Sequence, residues 1–244
     1  EFAPEDPLAR KRLGDLLMAH GWYDQAQRQY ETLAGLTPDD PSVPLLMAAA
    51  AQGAGRLEEA LGWLEKSAAG SSPDAASPVA LAGRALGSAY LAWARTESAS
   101  AGKNDELERL RARAIRIATG EQNSNLRVIL SWSHPELRVA LWTNALGSLM
   151  PAADNLPLLG VAQASVPITP APLIALRLDP EDAALAARMG LQATLTLIRS
   201  EGSADELIIR RDVSFKSEQG KPLASVAFNF ENNDLVPVVV EDER

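Results

Sequence analysis

Apolar residues recur every three or four positions through the first half of the chain and every second position through the rest, which predicts helices followed by strands. From Asp6 to His20, Leu8, Leu13, Leu16 and Leu17 define the apolar face of one helix, and Gly21 stops it. A second helix, Tyr23 to Leu36, turns Ala26, Tyr30 and Leu33 inward, where the small Ala26 lets two backbones approach. The breaker cluster Thr37-Pro38-Asp39-Asp40-Pro41 separates this pair from the next, Val43 to Gln52 and Leu57 to Ala68, joined by the turn Gly53-Ala54-Gly55. A less regular third pair follows Gly70-Ser71-Ser72-Pro73: Pro78 to Thr96, a polar turn from Ser98 to Asn104, then Asp105 to Thr119. In the last helix Leu107, Leu110, Ala114, Ile115 and Ile117 form the apolar stripe, with Arg109, Arg111, Arg113 and Arg116 mostly off it.

Around Gly120 to Asn125 the period changes to two, which places a domain boundary there: residues 1–120 helical, residues 125–244 antiparallel β. Leu126 to Trp132 and Leu137 to Thr143, with Ser133-His134-Pro135-Glu136 between them, predict a hairpin. Further strands are expected at Leu156 to Val166, Leu173 to Leu178, Leu191 to Arg199, Glu206 to Lys216, Leu223 to Phe230 and Leu235 to Val240. Short strands in this number suggest a β-sandwich, so the fold class is α+β with two domains. Asp179, as N-cap, and Pro180 predict one or two helical turns ending near Met189.

The helical half repeats itself. Pro7 returns as Pro41, Leu13 as Met47, Gly21 as Gly55, Ala26 as Ala60 and Tyr30 as Leu64, each thirty-four residues on, while Leu86, Gly87 and Tyr90 repeat the start of the motif. On these residues the first half resembles the tetratricopeptide (TPR) family, which implies an α-solenoid of about three helix pairs whose first helices line a groove for peptides or partner helices. In register, the groove residues so implied are Lys11, Asp15 and Met18, with Leu8; Leu45 and Gln52, with Ser42 and Ala49; and Arg84, Ser88 and Leu91, with Leu81. Asp15 stands where a clamp for terminal carboxylates would want Asn, which argues against that ligand. The second half, on Leu126 to Trp142 and Arg188 to Leu197, resembles β-sandwich domains of bacterial envelope proteins, including a domain of unknown function that follows TPR arrays. That resemblance implies a periplasmic or cell-surface setting. Relatives of this kind carry aspartates in the hairpin turn, where this chain has Ser133, His134 and Glu136, so no metal is assigned.

Composition narrows the function classes. A net charge of -9 over 244 residues lacks the basic footprint that nucleic acid needs. No apolar run reaches the ~20 residues of a membrane span. Cysteine is absent, which removes disulfides, thiol nucleophiles and thiolate ligands. His20 and His134 fall in different domains without partners at metal-ligand spacing; His20 reads as a helix-terminal cap and His134 as a turn residue. Asp39-Asp40, Glu58-Glu59, Asp105-Glu106 and Glu181-Asp182 stand at helix starts, where the helix dipole favours negative charge. Glu231-Asn232-Asn233-Asp234 reads as a turn before it reads as a cation site. All five tryptophans are expected in cores, Trp93 being the one most exposed.

The expectation is therefore a non-enzymatic, cofactor-free scaffold that binds a protein or peptide partner through the helical groove, as part of a bacterial envelope or cell-surface assembly. The alternative is an accessory, ligand- or carbohydrate-binding portion of a larger secreted enzyme or adhesin.

Overall fold

Gly21 and Gly55 adopt the same left-handed backbone, φ +74° and +75°, and close their helices in the same way. In each joint the residue after glycine donates its N–H back to the helix, Trp22 to Leu17 O and Arg56 to Ala51 O, both at 2.9 Å. The glycine itself donates to Met18 O (3.0 Å) or Gln52 O (2.9 Å), which completes a Schellman motif. Gly102, φ +68°, does the same through Lys103 to Ser98 O (2.9 Å) and its own N–H to Ala99 O (3.1 Å). The three helix pairs thus turn on one type of joint, and only glycine takes its αL position without strain.

The computed structural model describes residues 5–69, 77–118, 125–132, 137–144, 149–152, 154–156, 159–168, 172–189, 191–216 and 223–238. Gly70 to Pro73, Gly120 to Ser124 and the Ser133 to Glu136 connection with His134 lie outside them. Six helices come first: α1 (Pro7–Ala19), α2 (Tyr23–Leu36), α3 (Val43–Gly53), α4 (Leu57–Ala69), α5 (Pro78–Ser100) and α6 (Asn104–Ala118). They match the predicted ranges closely, α5 extending a turn further than its periodicity indicates. Asp6 caps α1 by accepting the Leu8 N–H at 2.9 Å, and Asp40 accepts from the N–H and Oγ of Ser42 ahead of α3.

The chain divides into two compact units, Glu1–Gly87 and Ser88–Arg244. The change from helix to strand lies further on, between Ala118 and Asn125, so residues 88–100 of α5 and all of α6 belong with the strands. In the first unit Ala26, Tyr30 and Leu33 of α2 share a core with Val43, Met47 and Ala50 of α3, and Leu17, Met18 and Leu46 pack against it. Arg56 ties α2 to α4: its guanidinium donates to Glu59 (2.7 Å), Asp24 (2.6 Å) and Gln27. Burial alone would raise the Glu59 carboxyl, but hydrogen bonds from Arg56 and Gln27 bring it below its ordinary value.

Two expectations for this unit need correction. Leu8 and Leu16 are exposed, 54 % and 55 %, rather than core. At about 100° per residue, Leu13 and Leu17 share one side of α1 while Leu8 and Leu16 look away from it. Trp22 is likewise 56 % exposed, because it follows the αL glycine and projects from the turn.

The second unit holds β1 (Asn125–Trp132), β2 (Val139–Thr143), β3 (Met150–Pro151), β4 (Asp154–Leu156), β5 (Val161–Pro167), β6 (Leu173–Leu178), α7 (Pro180–Met189), β7 (Ala193–Arg199), β8 (Leu207–Val213), β9 (Ser225–Glu231) and β10 (Asp234–Val238). They form two five-stranded antiparallel sheets, β4-β5-β1-β7-β8 and β10-β9-β6-β2-β3. One core serves both: Leu126, Val128, Leu130, Leu195 and Leu197 from the first meet Leu141, Ile174, Leu176 and Phe228 from the second. The hairpin expected from Leu126 to Thr143 does not form. β1 lies between β5 and β7, and β2 lies in the other sheet between β6 and β3. Alternation sets which face of a strand is buried, and two consecutive strands satisfy it equally well side by side or facing each other across a core.

The strand expected from Leu156 to Val166 is instead a hairpin, with Leu156 opposite Val161 and Gly160 at φ +67°. The acidic, amide-rich segment is a tight turn: Asn232 and Asn233 take φ 52° and 63° between the paired Glu231 and Asp234. Arg199 donates to Asn233 Oδ1 at 3.0 Å. α7 starts as expected, with Asp179 accepting the Glu181 N–H, and Arg138 holds its first turn through Asp179 and Asp182, each at 3.1 Å. The hydrogen bonds from Arg138 keep the Asp182 carboxyl below its ordinary range.

Two glycines separate backbone conformation from packing. An added Cβ meets nothing at Gly55 or Gly62, but only Gly55 is left-handed. Gly55→Ala should cost about 1 kcal/mol, whereas Gly62→Ala, inside α4, should stabilise by about 0.5–1 kcal/mol. Thermal melts of the two variants beside the parent read the opposite signs.

Candidate functional site

The residues expected to line the groove fall into three environments. On α1, Lys11 Nζ donates to Asp15 Oδ2 at 2.7 Å, and both side chains are nearly half exposed. Asp15 Oδ1 accepts from the Tyr30 hydroxyl at 2.9 Å. Burial of the ring, then the charge and hydrogen bond of Asp15, push the Tyr30 hydroxyl well above its ordinary value, so it remains a donor at physiological pH. Asp15 is therefore paired through both oxygens, with Tyr30 inside the helix pair and with Lys11 at the surface. Met18 packs against the core from the same helix. On α3, Leu45 is buried and Gln52 is exposed. Arg84 of α5 is half-buried.

Ser88 and Leu91 are fully buried in the second unit, where the Ser88 hydroxyl accepts from Arg127 at 2.7 Å. They offer no surface to a partner. The register that made them groove residues presumes an exposed first helix, and the later part of α5 is covered. The surface left accessible is Lys11, Asp15, part of Met18, Gln52 and Arg84, a mixed-charge face.

The most elaborate polar cluster of the second unit escaped sequence reasoning. Arg95 of α5 and Glu206, just ahead of β8, are 1 % and 4 % exposed and meet as a fork: Nε to Oε1 at 2.9 Å and an outer guanidinium nitrogen to Oε2 at 2.8 Å. Glu206 Oε2 also accepts the Gly202 N–H at 2.6 Å. Nearby in the same β7–β8 turn, Glu201 accepts from Arg127 of β1 at 2.8 Å, and Arg127 also donates to Gln163 of β5 at 3.0 Å. Gly202, at φ +78°, lies so close to α6 that an added Cβ would be 2.5 Å from Ile115. The cluster ties the β7–β8 turn to α5, α6 and β1. Arginine cannot release its proton and the carboxylates are paired, so it has the chemistry of a structural joint rather than of proton transfer. No local pattern announces it, since Arg95 and Glu206 stand 111 residues apart.

The aromatics are mostly occupied. Trp93 is half-buried and stacks on Tyr90 at 5.3 Å, Trp132 is core, and Trp142 on the outer side of β2 lies under Arg177 at 4.4 Å. At His20 the backbone N–H, not the ring, caps α1, and the ring lies 5.5 Å from that of Trp22. Among the described residues no group of three or more His, Asp or Glu side chains is placed to hold a metal ion, and no helix is long and apolar enough to cross a membrane. No protein-family model matches the chain, and no curated protein matches it.

Proposed function

We propose that the chain is a non-enzymatic interaction scaffold whose TPR-like helical unit binds an extended or helical segment of a partner protein, in a bacterial envelope or cell-surface assembly. The observation that carries this reading is the repeated joint. Helix pairs closed by the same Schellman turn recur thirty-four residues apart, at Gly21 and Gly55, which supports a stack of similar units whose first helices form a continuous face. On that face Lys11 and Asp15, Gln52 and Arg84 supply both signs of charge beside the apolar edge of Met18, a surface suited to an amphipathic segment rather than to a purely acidic tail. The envelope setting rests on the resemblance of the β half alone.

Lys11→Glu combined with Arg84→Glu tests the groove. Breaking the exposed Lys11–Asp15 pair and placing like charges on one helix should change stability by no more than about 1 kcal/mol. Partner recovery from a lysate of the source organism should fall at least tenfold. Equal recovery by parent and double variant, with unchanged melts, rejects the groove, and turnover of a substrate by the parent rejects the scaffold reading.

A further inference from the structure

Of the four strands at the sheet edges, three are blunted against further pairing. β3 has two residues and ends in Pro151, β4 has three, and β10 carries Pro237. β8 is seven residues long with neither proline nor glycine. It pairs with β7 along its whole length, and among the described residues no other backbone hydrogen bond reaches it. Its outer row of N–H and C=O groups is therefore a template for another strand. The turn end of β8 is taken, because Glu206 just ahead of it is held by Arg95 of α5. Residues 209–213 form the half away from that turn.

We propose that β8 pairs antiparallel with β8 of a second copy of this chain, about a two-fold axis at Arg211, so that two five-stranded sheets join into one of ten strands. Alternation puts Ile209, Arg211 and Val213 on the core face, where Val213 is buried and Ile209 packs against the sandwich core. Arg210 and Asp212, both exposed, lie on the other face. A two-fold pairing sets residues of the same face opposite each other. Centred on Arg211, it brings Arg210 opposite the partner's Asp212 and Asp212 opposite the partner's Arg210, with Ile209 and Val213 matched in the same way. Centred one residue to either side, the same strand would set Arg210 against Arg210 or Asp212 against Asp212, which like charges oppose. At the centre Arg211 does not face its copy freely: its guanidinium lies 5.7 Å from the ring of Phe228 and 3.7 Å from Asp234, both of its own second sheet. Asp212 accepts from the Thr194 hydroxyl at 3.0 Å, which fixes its carboxylate on the exposed face. This self-complementary order of charges is what selects a second copy rather than an unrelated strand. The inference is independent of the helical groove.

The test is sedimentation equilibrium of the full chain at up to about 100 µM, a range that reaches a contact of modest area. A monomer–dimer equilibrium is expected. Arg210→Asp and Asp212→Arg each set like charges opposite one another and should weaken the dimer at least tenfold, while Asp212→Asn, which only removes the attraction, should weaken it at least twofold. An equimolar mixture of the Arg210→Asp and Asp212→Arg chains should regain a dimer of parent strength, because both of its cross-strand contacts again join arginine to aspartate. That recovery also shows both variant chains to be folded. The Lys11→Glu/Arg84→Glu variant should dimerise as the parent does, so failure of the groove and failure of this edge are told apart. A parent that stays monomeric throughout the range overturns the proposal. A dimer indifferent to Arg210→Asp and Asp212→Arg overturns it too, as does a mixture that stays as weak as its two components.

Discussion

Glu206→Gln is expected to destabilise the second unit by about 3–5 kcal/mol, the range found when one member of a buried ion pair is removed. Arg95 is almost wholly buried and Glu206 supplies its counter-charge through two close contacts. Glutamine keeps the shape and most of the hydrogen-bonding capacity, so the loss isolates the charge. Arginine stays charged in proteins, and among the described residues neither outer guanidinium nitrogen has a partner in hydrogen-bond geometry, although one lies 2.8 Å from Glu206 Oε2. An uncompensated cation in such a place keeps its full desolvation cost. Removing both charges should behave differently. Arg95→Met with Glu206→Leu removes the penalty along with the attraction and should recover most of the stability, although the Gly202 N–H then loses its acceptor. Urea unfolding followed by near-ultraviolet circular dichroism measures both variants. A loss below about 1 kcal/mol for Glu206→Gln would mean that water reaches the pair.

That joint marks the limit of what the amino-acid order discloses. Helices α1 to α4 were legible almost to the residue, because a period of 3.6 ends at Gly21 or Gly55 and restarts after Pro38, and each of these signals acts within a few residues of itself. The core of α2 was legible for the same reason. Strand positions were legible from alternation, but strand partners were not: β1 and β2 carry the same pattern whether they pair or face each other, and the deciding contacts of β1, to β5 and β7, come from further along the chain. Leu8 and Leu16 mislead because four leucines in one helix look like one face until their angular positions are resolved. Ser88 and Leu91 mislead because a repeat register says where a side chain points within its own unit and nothing about residues 88–100 packing with the strands. Arg95 looked like any cation on an Ala-rich helix, and only tertiary structure supplies its Glu206.

Gly14→Ala should cost about 1–3 kcal/mol, and the same substitution should be nearly harmless when combined with Tyr30→Leu. A Cβ added to Gly14 would lie 2.3 Å from Tyr30 Cε1 and 2.9 Å from Cδ1 and Cζ, far inside contact distance, so the ring or the α1 backbone must move. The ring has little freedom. It is 2 % exposed, packed with Ala26 and Leu33, and its hydroxyl is anchored on Asp15 at 2.9 Å, so the clash falls in the class of overpacked cores. The next helix pair holds the complementary solution at the same positions. Ala48 replaces the glycine and Leu64 the tyrosine, both 3 % exposed, so the small helix residue and the large ring exchange together for a methyl and a shorter side chain. Tyr30→Leu alone leaves a gap beside Gly14 and frees Asp15 of its donor, and it should cost about 1–2 kcal/mol. Both changes together fill that gap and add the helix propensity of alanine, about 1 kcal/mol better than glycine. A double-mutant cycle by urea denaturation should therefore show a favourable coupling of at least about 1 kcal/mol. Strictly additive losses would mean that the ring yields without resistance, and that the two helix pairs carry different residues at these positions for a reason other than the fit of α1 against α2.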